Sequence, residues 1–416
     1  MRMKLNKPSQ LALVAAASLL VATMLTACET LTVDFVFVTS AQAAGTNNYG
    51  EVDVFEINSE SGAMRQIPTS PFPSGGRKPV AEALSSDNTN LYVVNQDDNT
   101  IVQFVIGNDG KVYPQNTTNT PGIFPMAVAI NGTNLFVVDT YQPLPTCSNA
   151  VPCSGAIGVF PISVPSGSTL SSEPLSPTPI ANGNLNYWPL NLPSKPNDVI
   201  VPTAINVVKS GSFVYVSAYD SSVTPTVGYV FGFAISSGSL TPLNGGVPFS
   251  AGTHPSGMAS DASSSYLYVT DSANSNVLGY SVAASGALAS LAGSPYQAGG
   301  APSSVAVDPT YAFAYVANAQ DSSVTEYSIS NGELTAIGTM STGLQPVAVG
   351  IDPSTNHFLY TVNFLGSSVN GNISGFEMDT STGALLVSKS SPYKSNALPT
   401  AVVAIPHNGT GAGITK

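Results

Sequence analysis

One phrase recurs seven times along this chain: an apolar-aromatic-Val strand that ends near Asn or Asp. It reads Val36-Phe37-Val38, Leu91-Tyr92-Val93-Val94-Asn95, Leu135-Phe136-Val137-Val138-Asp139 and Val214-Tyr215-Val216. It returns as Leu267-Tyr268-Val269-Thr270-Asp271, Ala314-Tyr315-Val316-Ala317-Asn318 and Leu359-Tyr360-Thr361-Val362-Asn363. The gaps between the aromatic residues are 55, 44, 79, 53, 47 and 45 residues. A period in this range with strand-like content marks a propeller or a solenoid, and most gaps suit a four-stranded antiparallel blade. Alternating runs such as Thr100 to Ile106 and Ser323 to Ile329 follow the markers as half-buried strands. Gly, Asn, Asp and Ser clusters separate them as turns.

A third element precedes the markers. An x-Pro step opens a run of small and apolar residues at Pro79, Pro125, Pro202, Pro255, Pro302 and Pro346. A seventh copy, Pro399-Thr400-Ala401-Val402-Val403-Ala404-Ile405, stands near the C-terminus with no marker after it. The first marker, at Phe37, has no such strand before it. Circular closure resolves both, because the C-terminal strand completes the blade that the N-terminal one begins, leaving only short protected edges. The expected fold is all-β: a seven-bladed β-propeller of four-stranded antiparallel blades. Nearly all the second and fourth places after these prolines hold Ala, Gly or Ser, which places this strand innermost, where space is tightest.

Charge is scarce, with 9% of residues charged. Arg2, Lys4 and Lys7 lie in an N-terminal leader, which leaves nine basic residues against 24 acidic ones. That balance argues against nucleic acid as a partner. The basic start and the apolar run from Leu11 to Leu25 read as an export signal. Leu25-Thr26-Ala27-Cys28 resembles a bacterial lipobox, which would make Cys28 the lipidated first residue. Glu29, rather than Asp, follows the Cys and favours the outer membrane. The alternative, cleavage after Ala41-Gln42-Ala43, would delete Phe35 to Val38, which the repeat needs. The expected organisation is a lipoprotein signal peptide over 1–27, a tether over 28–33 and one propeller over 34–408. An insertion at 140–199 sits in the third repeat, and 409–416 form a flexible tail.

Cys147 and Cys153, with five residues between them, read as a disulfide in an oxidising compartment. Two thiolates without a nearby His make a poor zinc site. Tyr187 and Trp188, the only tryptophan, lie in the same insertion. They serve either as an exposed platform for sugar or peptide, or to pack the insertion onto its blade. The acids after the markers, among them Asp97, Asp98, Asp220 and Asp321, fit turns that bond their own backbone. No EF-hand spacing, nucleophile elbow, phosphate loop or dinucleotide fingerprint occurs, and no cofactor or metal is expected.

Pro302-Ser303-Ser304-Val305-Ala306-Val307-Asp308-Pro309 with Ala314 to Asn318, and Pro346-Val347-Ala348-Val349 with Leu359 to Asn363, resemble the lactonase-type seven-bladed propellers. That family includes 6-phosphogluconolactonase-like and YVTN-repeat proteins, and the resemblance spans nearly the whole mature chain. It implies hydrolysis of a sugar lactone by Glu, His and Arg side chains at the axial mouth. The motifs are blade-building residues, so they specify the fold rather than the reaction.

The repeat register places the residues before each proline around one mouth: Lys78, Phe124, Val201, His254, Ala301, Gln345 and Leu398. This ring is mostly apolar. Glu82 breaks a different pattern, since it occupies the third place after proline, where other copies carry Val128, Ile205, Met258, Val305, Val349 and Val402. A carboxylate in an apolar slot is costly unless paired, and such groups concentrate at functional sites. Two readings stay open. In the first, Glu82 or His254 activates water while Arg77, Lys78 and Gln345 bind the substrate. In the second, Glu82 pairs with Arg77 or Lys78, or caps turn amides, and His254 is a packing residue. The expected protein is a lipid-anchored, extracytoplasmic monomer. It either hydrolyses an uncharged lactone or acts as a non-catalytic envelope propeller that binds glycan or protein.

Overall fold

The computed structural model describes residues 33–44, 47–58, 60–162, 175–310, 312–352, 357–366, 371–395 and 398–405. The expected signal peptide and tail, the expected lipidation site Cys28, the expected tether up to residue 32, and His407 lie outside these residues. Seven antiparallel sheets form the seven blades expected from the repeat. Blades 2 to 7 begin with their x-Pro strands: Pro79–Leu84, Ile123–Ile130, Ile200–Val207, Pro255–Ser260, Pro302–Val307 and Leu344–Ile351. The marker phrase is the second strand in every blade.

Blade 1 is completed from the other end of the chain. Its inner strand is Pro399–Ile405, paired with Val33–Ala44 so that Phe37 faces Val403 and Val38 faces Val402. Each inner strand packs beside the next, and Leu344–Ile351 packs beside Pro399–Ile405, which closes the ring. Hydroxyls one place after proline reinforce this inner ring where the sequence supplies them. Thr400 donates to the Pro79 carbonyl at 3.0 Å, and Ser303 donates to the Pro346 carbonyl at 2.7 Å.

The third repeat owes its length to the segments that precede and follow its third strand. Within 140–199, Ala156–Pro161 and Trp188–Pro189 are the third and fourth strands of blade 3. The preceding segment carries the Cys147–Cys153 disulfide. Trp188 is 2% exposed, and its indole N–H donates to the Leu240 carbonyl of blade 4 at 2.9 Å. It therefore packs its segment onto the neighbouring blade and offers no platform, and Tyr187 is buried as well.

The core is a set of layers, one per blade interface. Phe37, Val54, Leu91 and Val102 fill the seam between blades 1 and 2, and Phe136, Ile157, Val216 and Phe233 fill that between blades 3 and 4. Burying both faces of every sheet explains why the second strands read as nearly continuous apolar runs. The marker tyrosines add a cross-blade bond. Tyr215, Tyr268, Tyr315 and Tyr360 donate to the carbonyls of Gly286, Gly332, Gly383 and Gly62, each in the outer hairpin of the following blade.

Candidate functional site at the axial mouth

Each x-Pro step pairs with the end of its blade's second strand: Pro79 with Asn95, Pro125 with Asp139, Pro255 with Asp271 and Pro302 with Asn318. The residues before the prolines therefore gather at one mouth, as the register implies. Five of them hold a left-handed backbone: Lys78, Phe124, Ala301, Gln345 and Leu398, with φ between 44° and 56°. Non-glycine residues adopt this region at a cost of about 1 kcal/mol each, and the surrounding structure must over-determine it. Amides and hydroxyls opposite do so. The Lys78 carbonyl accepts from Gln96 N at 3.0 Å, the Ala301 carbonyl from Ala319 N at 3.0 Å, and the Phe124 carbonyl from Thr140 Oγ1 at 2.7 Å.

Buried acids brace the loops behind the ring. Asp271 accepts from the amides of Thr253 and His254 at 2.8 and 3.0 Å. Asp139 accepts from Gly122 N at 2.9 Å, yet burial still pushes its carboxyl up to about 7. These acids hold backbone in place and do not open on the mouth: Asp139, Asp220 and Asp271 are all fully buried.

His254 is the one imidazole at this ring. It stacks on Tyr219 with ring centroids 4.1 Å apart. Its Nδ1 lies 3.2 Å from Ser272 Oγ, and the same hydroxyl donates to the His254 carbonyl at 3.0 Å. Ser272 therefore faces both the ring and the carbonyl of His254, fixes the imidazole's orientation, and leaves Nε2 as the ring nitrogen that the hydroxyl does not engage.

The other expected residues fall into different places. Lys78 and Gln345 are exposed on the ring, and Lys78 enters no ion pair among the described residues. Arg77 is committed to Asp98: its Nη2 and Nε lie 2.5 and 2.6 Å from Oδ1, and its own amide donates to Oδ2 at 2.7 Å. Partial burial pushes the Asp98 carboxyl up, but Arg77 outweighs it and holds Asp98 below the ordinary carboxylate range.

Glu82 is not on the ring. It sits three residues down the inner strand in the seam between blades 1 and 2, 7% exposed, opposite Val93. Burial pushes its carboxyl up to about 8, opposed by the nearby backbone of Thr39 and Val403. Neither of those groups closes to hydrogen-bonding geometry, and both carboxyl oxygens are without a partner. It pairs with neither Arg77 nor Lys78. Glu82 and His254 belong to blades 2 and 5, the widest separation a seven-membered ring allows. The structure does not bring them together as one acid/base group.

Two aromatic residues at the mouth escaped the sequence reading. Tyr141 closes the second strand of blade 3 and meets Phe124 edge-on, with centroids 6.0 Å apart. Tyr219 pairs with Val201 of the ring and carries His254 on its face. An aromatic at the end of a marker strand was the available signal. Among the described residues, no group of His, Cys, Asp and Glu can hold a metal ion, and no helix is long and apolar enough to cross a membrane.

Comparison with known proteins points the same way as the blades. The periplasmic gluconolactonase of Pseudomonas aeruginosa superposes with a TM-score of 0.68 at 15% identity, covering 90% of this chain and 99% of that one. A candidate 6-phosphogluconolactonase of Bacteroides fragilis gives 0.68 at 18% identity over 91% of this chain and 99% of its own. At such identities these likenesses speak for the fold. No curated protein matches the sequence. The sequence profile described as "Lactonase, 7-bladed beta-propeller" matches residues 48–143 and 228–403, well over half of the chain. On that match, the chain belongs to the lactonase family of seven-bladed β-propellers.

Proposed function

We propose that this protein is a lipid-anchored, extracytoplasmic lactonase that opens an uncharged sugar lactone at its axial mouth. The observation that carries the reading is His254, the one imidazole at the ring, oriented by Ser272 at Nδ1 and by the face of Tyr219 so that Nε2 is not engaged by Ser272. Nε2 takes a proton from water as the water oxygen bonds to the lactone carbonyl carbon. The ring C–O bond then breaks, and the imidazolium returns the proton to the departing alkoxide, giving the open hydroxy acid. Lys78 and Gln345, exposed on the same ring, hold hydroxyl groups of the substrate. A phosphorylated substrate fits poorly, because Arg77 is already paired with Asp98.

The lipobox-like Leu25 to Cys28 and the Cys147–Cys153 disulfide support export to an oxidising compartment, with Cys28 as the anchor and the outer membrane as the address. The gluconolactonase likeness from Pseudomonas aeruginosa is also periplasmic by name. A second reading, a non-catalytic envelope propeller that binds glycan or protein, draws support from the apolar ring and its lack of an exposed carboxylate.

The test is hydrolysis of glucono-δ-lactone by protein lacking residues 1–28. The lactonase reading expects a rate well above the spontaneous one, reduced about 100-fold or more in His254→Gln and retained in Glu82→Gln. No activity across a panel of neutral lactones transfers the assignment to the binding propeller.

A further inference from the structure

We infer that the sector of the mouth formed by blades 3, 4 and 5 is a stacking subsite for a neutral pyranose ring. The inference deepens the functional reading, since it rests on the axial mouth as the ligand site, but it does not require catalysis. Four rings converge there from three consecutive blades. Phe124 and Tyr141 meet edge-on, and Tyr219 and His254 stack face to face. Tyr141 and Tyr219 are close enough for the charge of one to bear on the other. The Tyr219 hydroxyl is pushed up by burial first and by Tyr141 second.

Part of this arrangement is held at a cost. Phe124 takes a φ of 56° and its backbone N–H donates to Asn99 Oδ1 at 2.7 Å, while its phenyl ring meets Tyr141. All four rings are only half-buried, so their remaining faces reach solvent.

The surroundings define the ligand chemistry. Among the described residues, the charges of this sector are paired or buried. Asp139, Asp220 and Asp271 are buried beneath it, and Lys195 in the entering loop of blade 4 lies 3.4 Å from Asp198 and 3.9 Å from Asp220. Polar groups rim it instead. Asn149, in the loop closed by the disulfide, places Oδ1 3.5 Å from Tyr141 Oη, and Ser272 flanks His254. Aromatic faces with a neutral hydrogen-bonding rim match a sugar ring, which has an apolar C–H face and a hydroxyl edge. An anion would have to compete with Asp198 and Asp220 for Lys195, and a purely apolar ligand would leave the rim unpaired.

The experiment titrates protein lacking residues 1–28 with cellohexaose, maltohexaose and laminarihexaose by calorimetry. At least one is expected to bind. Tyr219→Ala and Phe124→Ala are each expected to weaken it about 10-fold, with Tyr219→Phe within about 3-fold of wild type and circular dichroism unchanged. No binding of any neutral oligosaccharide overturns the subsite, as does binding that both alanine variants leave unaltered. So does selective binding of a peptide in their place. Oligosaccharide binding without lactone hydrolysis removes the catalytic reading and leaves the subsite standing. Hydrolysis whose KM and kcat ignore both alanine variants, without oligosaccharide binding, does the reverse.

Discussion

The hydroxyl of Tyr315 in blade 6 lies 2.9 Å from the carbonyl oxygen of Gly383 in blade 7. Gly383 has a φ of 76°, and a Cβ there would stand 2.2 Å from Phe313 Cδ1, so the hairpin sits directly on the preceding blade. The pair joins the outer parts of two blades whose inner strands are joined by the bond from Ser303 to the Pro346 carbonyl. Tyr315→Phe should lower stability by about 1 kcal/mol, the worth of one buried hydrogen bond with its carbonyl left unpaired. Gly383→Ala should cost more, because it combines a left-handed backbone with a clash against an aromatic ring. Urea midpoints of the two variants against wild type check the order, and a larger loss from Tyr315→Phe would refute this account of the contact.

This relationship also explains what was legible in the sequence. The marker tyrosines of blades 4 to 7 recur because each bonds the next blade's hairpin, so a physical requirement repeated around the ring became a pattern along the chain. The unpaired copy at Pro399 revealed closure for the same reason. The mouth was half legible: the register placed Lys78, His254 and Gln345 correctly on one ring. It did not show that Tyr141 and Tyr219 come close enough for the charge of one to bear on the other, because they sit on strands of different blades that only the tertiary packing brings side by side. Glu82 was singled out by its slot, but that slot faces a seam between blades. Membership of the pattern identified the anomaly without locating the chemistry.

Glu82 makes stability depend on pH in a direction that can be worked out. Its folded pKa is about 8 against 4.5 for an ordinary glutamate, so between these values the folded state binds one more proton than the unfolded state. Stability from this group is greatest below about pH 4.5 and falls as pH rises toward 8. Asp139, raised to about 7, acts in the same direction but only up to that value. The window from pH 7 to 8.5 therefore isolates Glu82. Glu82→Val, which restores the residue type of other copies, should flatten the slope there and stabilise the protein at pH 8.5 by up to a few kcal/mol. Denaturation midpoints at pH 7, 7.75 and 8.5 provide the check; a slope unchanged in the variant would place the proton elsewhere.

The left-handed residues at the mouth give a test of stored strain. Ala301 has a φ of 49° and no side chain beyond Cβ to lose. Ala301→Gly relieves the Cβ clash while adding freedom to the unfolded chain, so the net effect should lie within about 0.5 kcal/mol of zero. Ala301→Val, β-branched in the same conformation, should cost about 2 kcal/mol. If the two variants unfold at the same denaturant concentration, the ring is not strained at this position.

Closure by Pro399–Ile405 should decide whether the ring exists as one cooperative body. Its backbone pairs with Phe35 to Ser40, and Val402 and Ile405 complete the layers that blade 1 shares with blades 7 and 2. Ending the chain at residue 398 would strip blade 1 of its inner strand. The inner edge of Val33–Ala44 would then present unpaired backbone, and two interfaces would open at once. The truncated protein should unfold at markedly lower urea, bind a hydrophobic dye in the absence of denaturant and associate through the exposed strand. Adding a synthetic peptide of residues 397–408 in excess should reverse these changes, because the missing strand docks by the same register. Dye binding and sedimentation with and without the peptide measure both effects. A truncated chain that stays monomeric and dye-negative would mean that six blades and a three-stranded remnant suffice, and that closure is not what holds the mouth in shape.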